Sequence, residues 1–397
     1  MRALVIGGSM SGLLAALALR SRGLDVSVYE RVAEPLAGRG AGIVAQPELK
    51  AVMRKLGLDP DHDLGVEVPW RLMVARDGRV THRMAIPQTM TAWDRVFHLL
   101  KAAFPEADYH CGKELRGVEQ GERVTAHFAD GSVEAGDVLV GADGIRSTVR
   151  QQYLPNVIPL YAGYTAWRGL VNEAAFPPPL HRDLFEHFSF CLPDNEQMLG
   201  YPVAGPNNDL RAGHRRYNFV WYRPASEAHE LPRLLTDDTG RTHALSIPPP
   251  LIARAVITEM REAAARVLAP QFNAMVGLCE QPFLQPIYDL EVPRMAFGRV
   301  ALAGDAAFVA RPHIGAGVAK AADDALALAD ALAENDVESA LKQFEAARLP
   351  VGNKIIARTR HLGAYVQADL KTEAERTYAA RHRTPEAVLS ETAIMDF

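Results

Sequence analysis

The stretch Val300–Ala325, VALAGDAAFVARPHIGAGVAKAADDA, decides which fold the chain is assigned. Its apolar start, 300–303, predicts a buried strand, and Gly304 and Asp305 end that strand. An aspartate at such a strand end can accept hydrogen bonds from sugar or ribityl hydroxyls. The stretch therefore predicts a strand followed at once by an acceptor for a hydroxyl-rich ligand.

The second half of the stretch predicts a loop and a helix N-terminus. Pro312 lies in the loop, and Gly315 and Gly317 open a long alanine-rich helix. The first N–H groups of a helix have no intrahelical partner, so they bind anionic or electron-rich atoms well. An ordinary strand–loop–helix unit without a ligand is the alternative interpretation.

The N-terminal stretch predicts a second ligand-binding turn. A β-type run at 3–6 leads into the turn GGSMSG at 7–12, a helix follows, and a second strand ends at Glu30. This is the context of the dinucleotide fingerprint, although Ser9 replaces its middle glycine. Packing glycines in an α/β turn are the alternative. The residues predicted to bind the nucleotide are Gly7, Ser9, Met10, Ser11, Gly12, Glu30 and Arg31.

The fingerprint alone does not separate NAD from FAD, and Arg31 beside Glu30 would also suit a 2′-phosphate. The stretch at 300–325 favours FAD. An extended FAD needs an adenosine site at one end and a ribityl–flavin site at the other, and the chain offers one nucleotide turn and one distant Gly-Asp loop.

A third motif, GADGIRSTVR at 141–150, follows a buried strand at 138–140. Its two glycines allow a tight turn, and Ser147 or Thr148 can cap the helix that follows. Asp143 can order the backbone of the turn and the two arginines. A purely structural turn is the alternative interpretation.

In their order and spacing the three motifs resemble those of the single-component FAD-dependent aromatic hydroxylases. The family pattern GD, PxxGxG and DA is matched from Gly304 to Ala325, although Ala316 stands where a polar residue is usual. Trp93 stands where the family often has an FAD-contacting arginine. The resemblance implies an α/β fold: a Rossmann-like FAD-binding domain interleaved with an antiparallel β-sheet substrate domain, with C-terminal helices.

The resemblance also implies domain boundaries and cofactor contacts. The FAD-binding domain is expected at 1–67, 89–157 and 287–397, and the substrate domain at 68–88 and 158–286. Backbone N–H groups at Gly317 and Val318 would stabilise negative charge on the flavin. The further residues that the resemblance implies as FAD contacts are Arg39, Gly42, Ile43, Asp143, Gly304, Asp305 and Gly315.

The activity implied by the family is hydroxylation of a small electron-rich aromatic or heteroaromatic ring, a hydroxylated pyridine being the expected substrate. NADH or NADPH reduces FAD, O₂ forms a flavin C4a-hydroperoxide, and its terminal oxygen transfers to the ring. Pro312 and His313 are expected beside the flavin, with His313 holding the substrate or, alternatively, only ordering the loop. The candidate pocket liners, each of which would also suit the core, are Trp167, Phe188, Phe190, Tyr201 and Trp221.

Composition sets the outer limits of this interpretation. The chain has 397 residues, 48% hydrophobic and 23% charged, with a net charge of −5, so nothing favours nucleic acid. Three scattered cysteines argue against disulfides and metal, and no apolar run suits a membrane or a secretory signal. We expect a cytoplasmic protein, with a homodimer as one expected state. The alternatives are a nicotinamide-dependent dehydrogenase, which leaves the Asp305 stretch unexplained, and a non-catalytic flavin-binding redox sensor.

Overall fold

The computed structural model describes residues 1–34, Leu36 and 42–395. Arg39, a predicted FAD contact, therefore lies outside the described residues. In chain order the strands are β1 (Arg2–Ile6), β2 (Asp25–Tyr29), β3 (Gly42–Val44), β4 (Val66–Val74), β5 (Val80–Ala92), β6 (Tyr109–His110), β7 (Leu115–Gln120), β8 (Val124–Phe128), β9 (Val133–Gly136), β10 (Val138–Gly141), β11 (Leu160–Asn172), β12 (Phe188–Cys191), β13 (Gln197–Val203), β14 (Arg216–Pro224), β15 (Phe283–Glu291), β16 (Ala296–Phe297), β17 (Val300–Leu302) and β18 (Phe308–Val309).

Helices connect and cover these strands. In chain order they are α1 (Met10–Ser21), α2 (Pro47–Lys55), α3 (Trp93–Ala103), α4 (Thr148–Tyr153), α5 (Pro178–Leu180), α6 (Glu230–Leu234), α7 (Arg254–Val267), α8 (Pro270–Leu278), α9 (Gly317–Glu334), α10 (Val337–Leu362), α11 (Glu373–His382) and α12 (Pro385–Glu391). Every helix in the described part of the chain is too short or too polar to serve as a bilayer span.

The smaller of the two main sheets is the predicted Rossmann-like unit. Its six strands run in the order β16-β17-β10-β1-β2-β6, and all neighbours are parallel except the edge pair β16 and β17. The strands are mostly apolar because both faces of the sheet are covered. Helices α1 and α9 pack against each other there. The three strands that carry the predicted motifs, β1, β10 and β17, are consecutive neighbours, so the three motifs meet at one sheet edge.

The larger sheet has nine strands in the order β18-β15-β11-β14-β13-β12-β4-β5-β3. It is antiparallel as predicted, except that β4 and β12 run parallel, which their long connection through the chain allows. One face packs on α7 and α8, and the other faces the cavity described below and the C-terminal helices. The expected substrate segments 68–88 and 158–286 supply most of this sheet, while β3, β18 and the second half of β15 join it from the other expected domain.

The longest C-terminal helix contains an interior proline, Pro350, which would ordinarily break a helix. Helix α10 runs unbroken through Pro350 to Leu362. Pro350 and Ala346 are both exposed, so water can satisfy the Ala346 carbonyl that loses its helical partner. The polar segment after it forms α11, which has a capping box of Thr372 and Glu375, and then α12.

Candidate active site

The N-terminal turn is shaped by close backbone packing. Gly7 follows β1 with φ +103°, and a Cβ there would lie 2.4 Å from the Ala142 carbonyl oxygen. A Cβ on Gly12 would lie 1.8 Å from the carbonyl oxygen of Gly7. These glycines bring α1 onto the sheet, and α1 begins at Met10 without a side-chain cap, so its first N–H groups are free for phosphate oxygens.

A cavity of about 240 Å³ opens beside this turn. Glu30 is buried at the end of β2, and its carboxylate accepts hydrogen bonds from the N–H groups of Gly8 (2.8 Å) and Val32 (3.0 Å). Its remaining lone pairs can accept two ribose hydroxyls. Ser9 and Arg31 also line this cavity. The site therefore fits the adenosine and pyrophosphate end of FAD.

Two predicted contacts of the N-terminal motif lie away from this cavity. The Met10 side chain is buried in the core of the smaller sheet, so only its backbone can reach a ligand. The hydroxyl of Ser11 is buried without a hydrogen-bond partner in the described residues. A Cβ on Gly304 would lie 2.1 Å from that oxygen. Ser11 thus joins the N-terminal turn to the Gly-Asp loop, and its unpaired oxygen fits a bound group between the two.

Asp143 lines the cavity of about 240 Å³ beside the N-terminal turn, but its carboxylate accepts hydrogen bonds from residues of its own motif. It accepts from the hydroxyl of Ser147 and from the N–H groups of Thr148 (2.7 Å) and Val149 (3.2 Å). Burial raises the pKa of its carboxyl, and these bonds oppose the shift. Arg150 extends the motif by donating to the Ala306 carbonyl (3.1 Å). The motif therefore braces the Gly-Asp loop.

The second cavity, of about 270 Å³, lies between the larger sheet and the loop after β17. Gly304 has φ +60° and turns the chain so that Asp305 faces this cavity. No described residue donates a hydrogen bond to the Asp305 carboxylate. The Asp305 side chain is exposed to the cavity although protein surrounds it, and this partial desolvation raises the pKa of its carboxyl, while the Lys320 ammonium opposes the shift. An unpaired acceptor of this kind fits a ribityl hydroxyl.

The N-terminus of α9 closes the flavin end of the cavity. Gly315 has φ +62°, and α9 begins at Gly317 without a side-chain cap, so the N–H groups of Gly317 and Val318 are available on the cavity wall. Lys320, one turn into the helix, donates to the Gly304 carbonyl (3.0 Å) and pairs with Asp324 (3.2 Å). The loop and the helix are thus joined beneath the cavity.

Strand β3, at one edge of the larger sheet, supplies a further part of the wall. Gly42 and Ile43 line the cavity, and the Gly42 N–H donates to the Asn218 side chain (3.1 Å). A Cβ on Gly42 would lie 2.6 Å from the ring of Tyr201. Glycine at this position therefore lets the β3 backbone approach the aromatic wall of the larger sheet.

The larger sheet offers the cavity one cation and several rings. Phe188 and Tyr201 line it as predicted, joined by Tyr222 and Arg168. Arg168 donates to the Gln285 side chain (2.9 Å), its Nε is buried without an acceptor, and no carboxylate of the described chain lies at ion-pair distance. The sequence predicts neither Arg168 nor Tyr222 as a pocket residue; the predicted residues are their strand neighbours Trp167 and Trp221.

Trp167 and Trp221 are corrections to the predicted pocket. Both belong to the core between the larger sheet and helices α7 and α8, and the Trp221 indole donates to Glu196 (2.8 Å). Successive strand residues point to opposite faces, so a tryptophan on the core face leaves Arg168 and Tyr222 on the cavity face. Phe190 packs 4.4 Å from Phe188, centroid to centroid, and is fully buried outside the cavity lining.

His313 is also a correction. Pro312 lines the cavity, but the His313 imidazole points away from it and its Nε2 lies 2.8 Å from the Tyr164 hydroxyl. Burial and the nearby Arg311 guanidinium lower the pKa of His313 to about 3. The imidazole is therefore neutral at physiological pH and orders the loop, which is the alternative that the sequence left open.

Family models match three parts of the chain. One described as "NAD(P)-binding Rossmann-like domain" matches residues 5–56, one described as "FAD binding domain-like" matches 161–289, and one described as "FAD binding domain" matches 287–359. These parts contain the adenosine turn, most of the larger sheet, and the Gly-Asp loop with α9.

Whole-chain relatives agree with these matches. A 2,6-dihydroxypyridine 3-monooxygenase of Paenarthrobacter nicotinovorans is 34% identical over 92% of this chain and 91% of its own. A 6-hydroxynicotinate 3-monooxygenase of Bordetella bronchiseptica is 29% identical over 82% and 81%. The solved structure of 2,6-dihydroxypyridine-3-hydroxylase from Arthrobacter nicotinovorans superposes with a TM-score of 0.87 at 32% identity, covering 94% of this chain and 95% of that one.

The geometry and the relatives lead to the same family. Two cavities suited to the two ends of FAD lie beside the three motifs, and identity to a monooxygenase extends over nearly the whole chain. The chain therefore belongs to the FAD-dependent aromatic hydroxylases, which are flavoprotein monooxygenases.

Proposed function

We propose that this enzyme hydroxylates a small hydroxylated pyridine, using NADH or NADPH and O₂. The observation that carries the proposal is Arg168, a guanidinium without a carboxylate partner among the described residues, on the wall of the cavity at the flavin end. A ring oxygen, ionised or neutral, is a suitable acceptor for it. Two relatives named for hydroxylated pyridines support this substrate class.

The tyrosines of the cavity are hydrogen-bond donors and not bases, so the electron-donating groups on the reacting ring must belong to the substrate itself. Burial raises the pKa of Tyr201 to about 12, with Arg168 opposing the shift, and also raises the pKa of Tyr222. Both phenols are therefore neutral at physiological pH and serve as hydrogen-bond donors to substrate oxygens. A cavity of about 270 Å³ that also receives the flavin edge leaves room for a single ring.

The protein's contribution is binding, orientation and exclusion of water. When bound, FAD supplies hydride acceptance from NAD(P)H and the activation of O₂. The N–H groups of Gly317 and Val318 would hold negative charge at the flavin edge, and Asp305 would accept a ribityl hydroxyl. The apolar face of the larger sheet keeps water from the reacting ring.

The test is to purify the protein, record its flavin spectrum, and measure NADH and NADPH oxidation with 2,6-dihydroxypyridine, 6-hydroxynicotinate and 4-hydroxybenzoate. We expect a hydroxypyridine to stimulate oxidation and to gain one oxygen atom by mass spectrometry. A yellow protein that no hydroxypyridine stimulates would contradict the proposal and favour a non-catalytic flavoprotein.

We also propose that the enzyme is cytoplasmic and forms a homodimer. The three cysteines are free, as a reducing compartment allows. Ile158 and Leu160, at the start of β11, are 62% and 58% exposed and are candidates for a contact between copies. Light scattering on the purified protein measures the oligomeric state, and a monomer at all concentrations would contradict the dimer.

A further inference from the structure

The segment after α12 forms part of the substrate cavity. Thr392 and Ala393, called here the C-terminal turn, line the cavity of about 270 Å³ at the flavin end. The next two residues, Ile394 and Met395, line a surface cavity of about 620 Å³. Four consecutive residues thus separate the inner cavity from an outer one.

The turn is held by hydrogen bonds to its main chain. The Ala393 carbonyl accepts from the side chains of Gln46 (3.0 Å) and Gln88 (2.8 Å), and the Thr392 carbonyl accepts from Arg71 (2.8 Å). The Ala393 N–H donates to the His313 carbonyl (2.7 Å). No ion pair joins residues 392–395 to the rest of the described chain. When the turn opens, water can replace these partners, and the buried Arg71 guanidinium keeps its bonds to the Leu389 carbonyl and the Gln88 side chain.

The helix before the turn is anchored much more firmly. Val388 and Leu389 of α12 are buried in the core of the larger sheet, and Glu391 pairs with Arg358 (3.2 Å) and His382 (2.7 Å). Ala393 has φ +56°, a left-handed conformation that a side chain with a Cβ disfavours. Opening relieves that strain, and the firm anchor confines the movement to the residues after Glu391.

We propose that the C-terminal turn is the movable wall of the substrate cavity, and that substrate and product pass between the inner and outer cavities when the turn opens. Closed, the turn covers the ring and limits its size. Open, it joins the two cavities between β3 and the C-terminus. This inference rests on the proposed hydroxypyridine activity, because the bound aromatic ring is what the wall encloses.

The test compares one shortened and two substituted variants of the enzyme with wild type. One ends at Glu391 and so lacks the turn, the second is Gln88→Leu, and the control is Gln271→Leu. Gln271 donates to the Gly78 carbonyl over the same 2.8 Å as Gln88 to Ala393, but it lies between α8 and the β4–β5 hairpin. FAD content, the dissociation rate of 2,6-dihydroxypyridine by anaerobic stopped flow, and stimulation by 2,4-dihydroxyquinoline are measured.

Without the turn, we expect FAD to stay bound, 2,6-dihydroxypyridine to dissociate at least about tenfold faster, and the larger quinoline to stimulate NAD(P)H oxidation. Gln88→Leu removes the bond to the Ala393 carbonyl and also the bond that Gln88 accepts from Arg71, so dissociation should speed at least about fivefold, while the control should match wild type. Wild-type dissociation rates in Gln88→Leu overturn the inference, even if the shortened chain fails to fold. Failure of wild type to respond to any hydroxypyridine would instead overturn the proposed function.

Discussion

At the scale of single residues, Arg168 decides what the cavity can hold. Its guanidinium faces Tyr201 and Tyr222 and has no carboxylate partner in the described chain. We predict that Arg168→Met leaves FAD bound but weakens the binding of a hydroxypyridine by about 1.5–3 kcal/mol, the contribution of a hydrogen bond to a charged group. The measurement is an anaerobic substrate titration followed by flavin absorbance.

The control for Arg168→Met is Arg233→Met. Arg233 is exposed, pairs with Glu259, and belongs to the same expected substrate segment, 158–286, as Arg168. It should bind FAD and substrate as wild type does, since exposed pairs contribute little. Unchanged substrate affinity in Arg168→Met would remove Arg168 from the substrate site.

His313 makes a prediction about pH. Its pKa is about 3 in the folded protein, against about 6.5 in an unfolded chain. As the pH falls from 6.5 towards 3, the unfolded chain gains a proton that the folded chain does not, so stability is lost on the acidic side. Between pH 6.5 and 5.0 we predict that wild type loses about 1.6 kcal/mol more unfolding free energy than His313→Asn. Urea unfolding at both pH values measures this, and equal losses in the two proteins would contradict it.

More of the residues predicted for the cofactor than of those predicted for the substrate lie on the cavity walls, for a physical reason. Gly7, Glu30 and Asp305 lie at strand ends, where a short motif specifies the local backbone geometry. Which of two neighbours, Trp167 or Arg168, faces the cavity depends on the orientation of the whole strand. That orientation is set by α7 and α8 covering the other face, which no local pattern reveals.

At the scale of elements, helix α9 connects the Gly-Asp loop after β17 to the core. Asp324 pairs with Lys320 (3.2 Å) and with Arg348 of α10 (2.7 Å), and all three side chains are largely buried. We predict that Asp324→Asn destabilises the protein by about 3–5 kcal/mol, because it leaves a buried ammonium without its counter-charge. FAD content should fall as well, since Lys320 also holds the Gly304 carbonyl.

The matched control is Asp330→Asn, on the same helix. Asp330 pairs with Arg22, but the two side chains are 53% and 38% exposed, so the change should cost less than about 1 kcal/mol. Thermal unfolding and the flavin-to-protein ratio of both variants measure the difference. Equal destabilisation by the two substitutions would show that the buried pair does not support the loop.

The elements with strong local signals were predictable. Strands β1, β10 and β17 and helices α1 and α9 follow from apolar runs and glycine turns. The continuity of α10 through Pro350 was not, because it depends on an exposed carbonyl that water can satisfy. The parallel pair β4 and β12 depends on contacts between residues more than a hundred positions apart in the chain. Tertiary packing decides such features.

At the scale of the whole molecule, FAD would connect the two sheets. Its adenosine end fits the cavity beside β1 and β2, and its flavin end fits the cavity between β17 and the larger sheet. The chain crosses between the sheets several times, so the site is complete only when both are folded. A ligand that binds only the folded state adds RT ln(1 + [L]/Kd) to stability, about 4 kcal/mol at a thousand times Kd.

This linkage separates a cofactor role of Asp305 from a structural one. Its carboxylate has no hydrogen-bond donor among the described residues and is exposed to the cavity, so the apoprotein gains nothing from it. We predict that Asp305→Ala leaves the apoprotein's Tm unchanged or higher, while the gain in stability on adding FAD shrinks by about 1–3 kcal/mol. Melting curves of the apo and FAD-loaded forms, with wild type beside them, provide the measurement. If the Tm of the apoprotein falls as much as the Tm of the FAD-loaded form, Asp305 supports the fold itself. The flavin end of the cofactor would then be bound by the backbone N–H groups of Gly317 and Val318 and not by the Asp305 carboxylate.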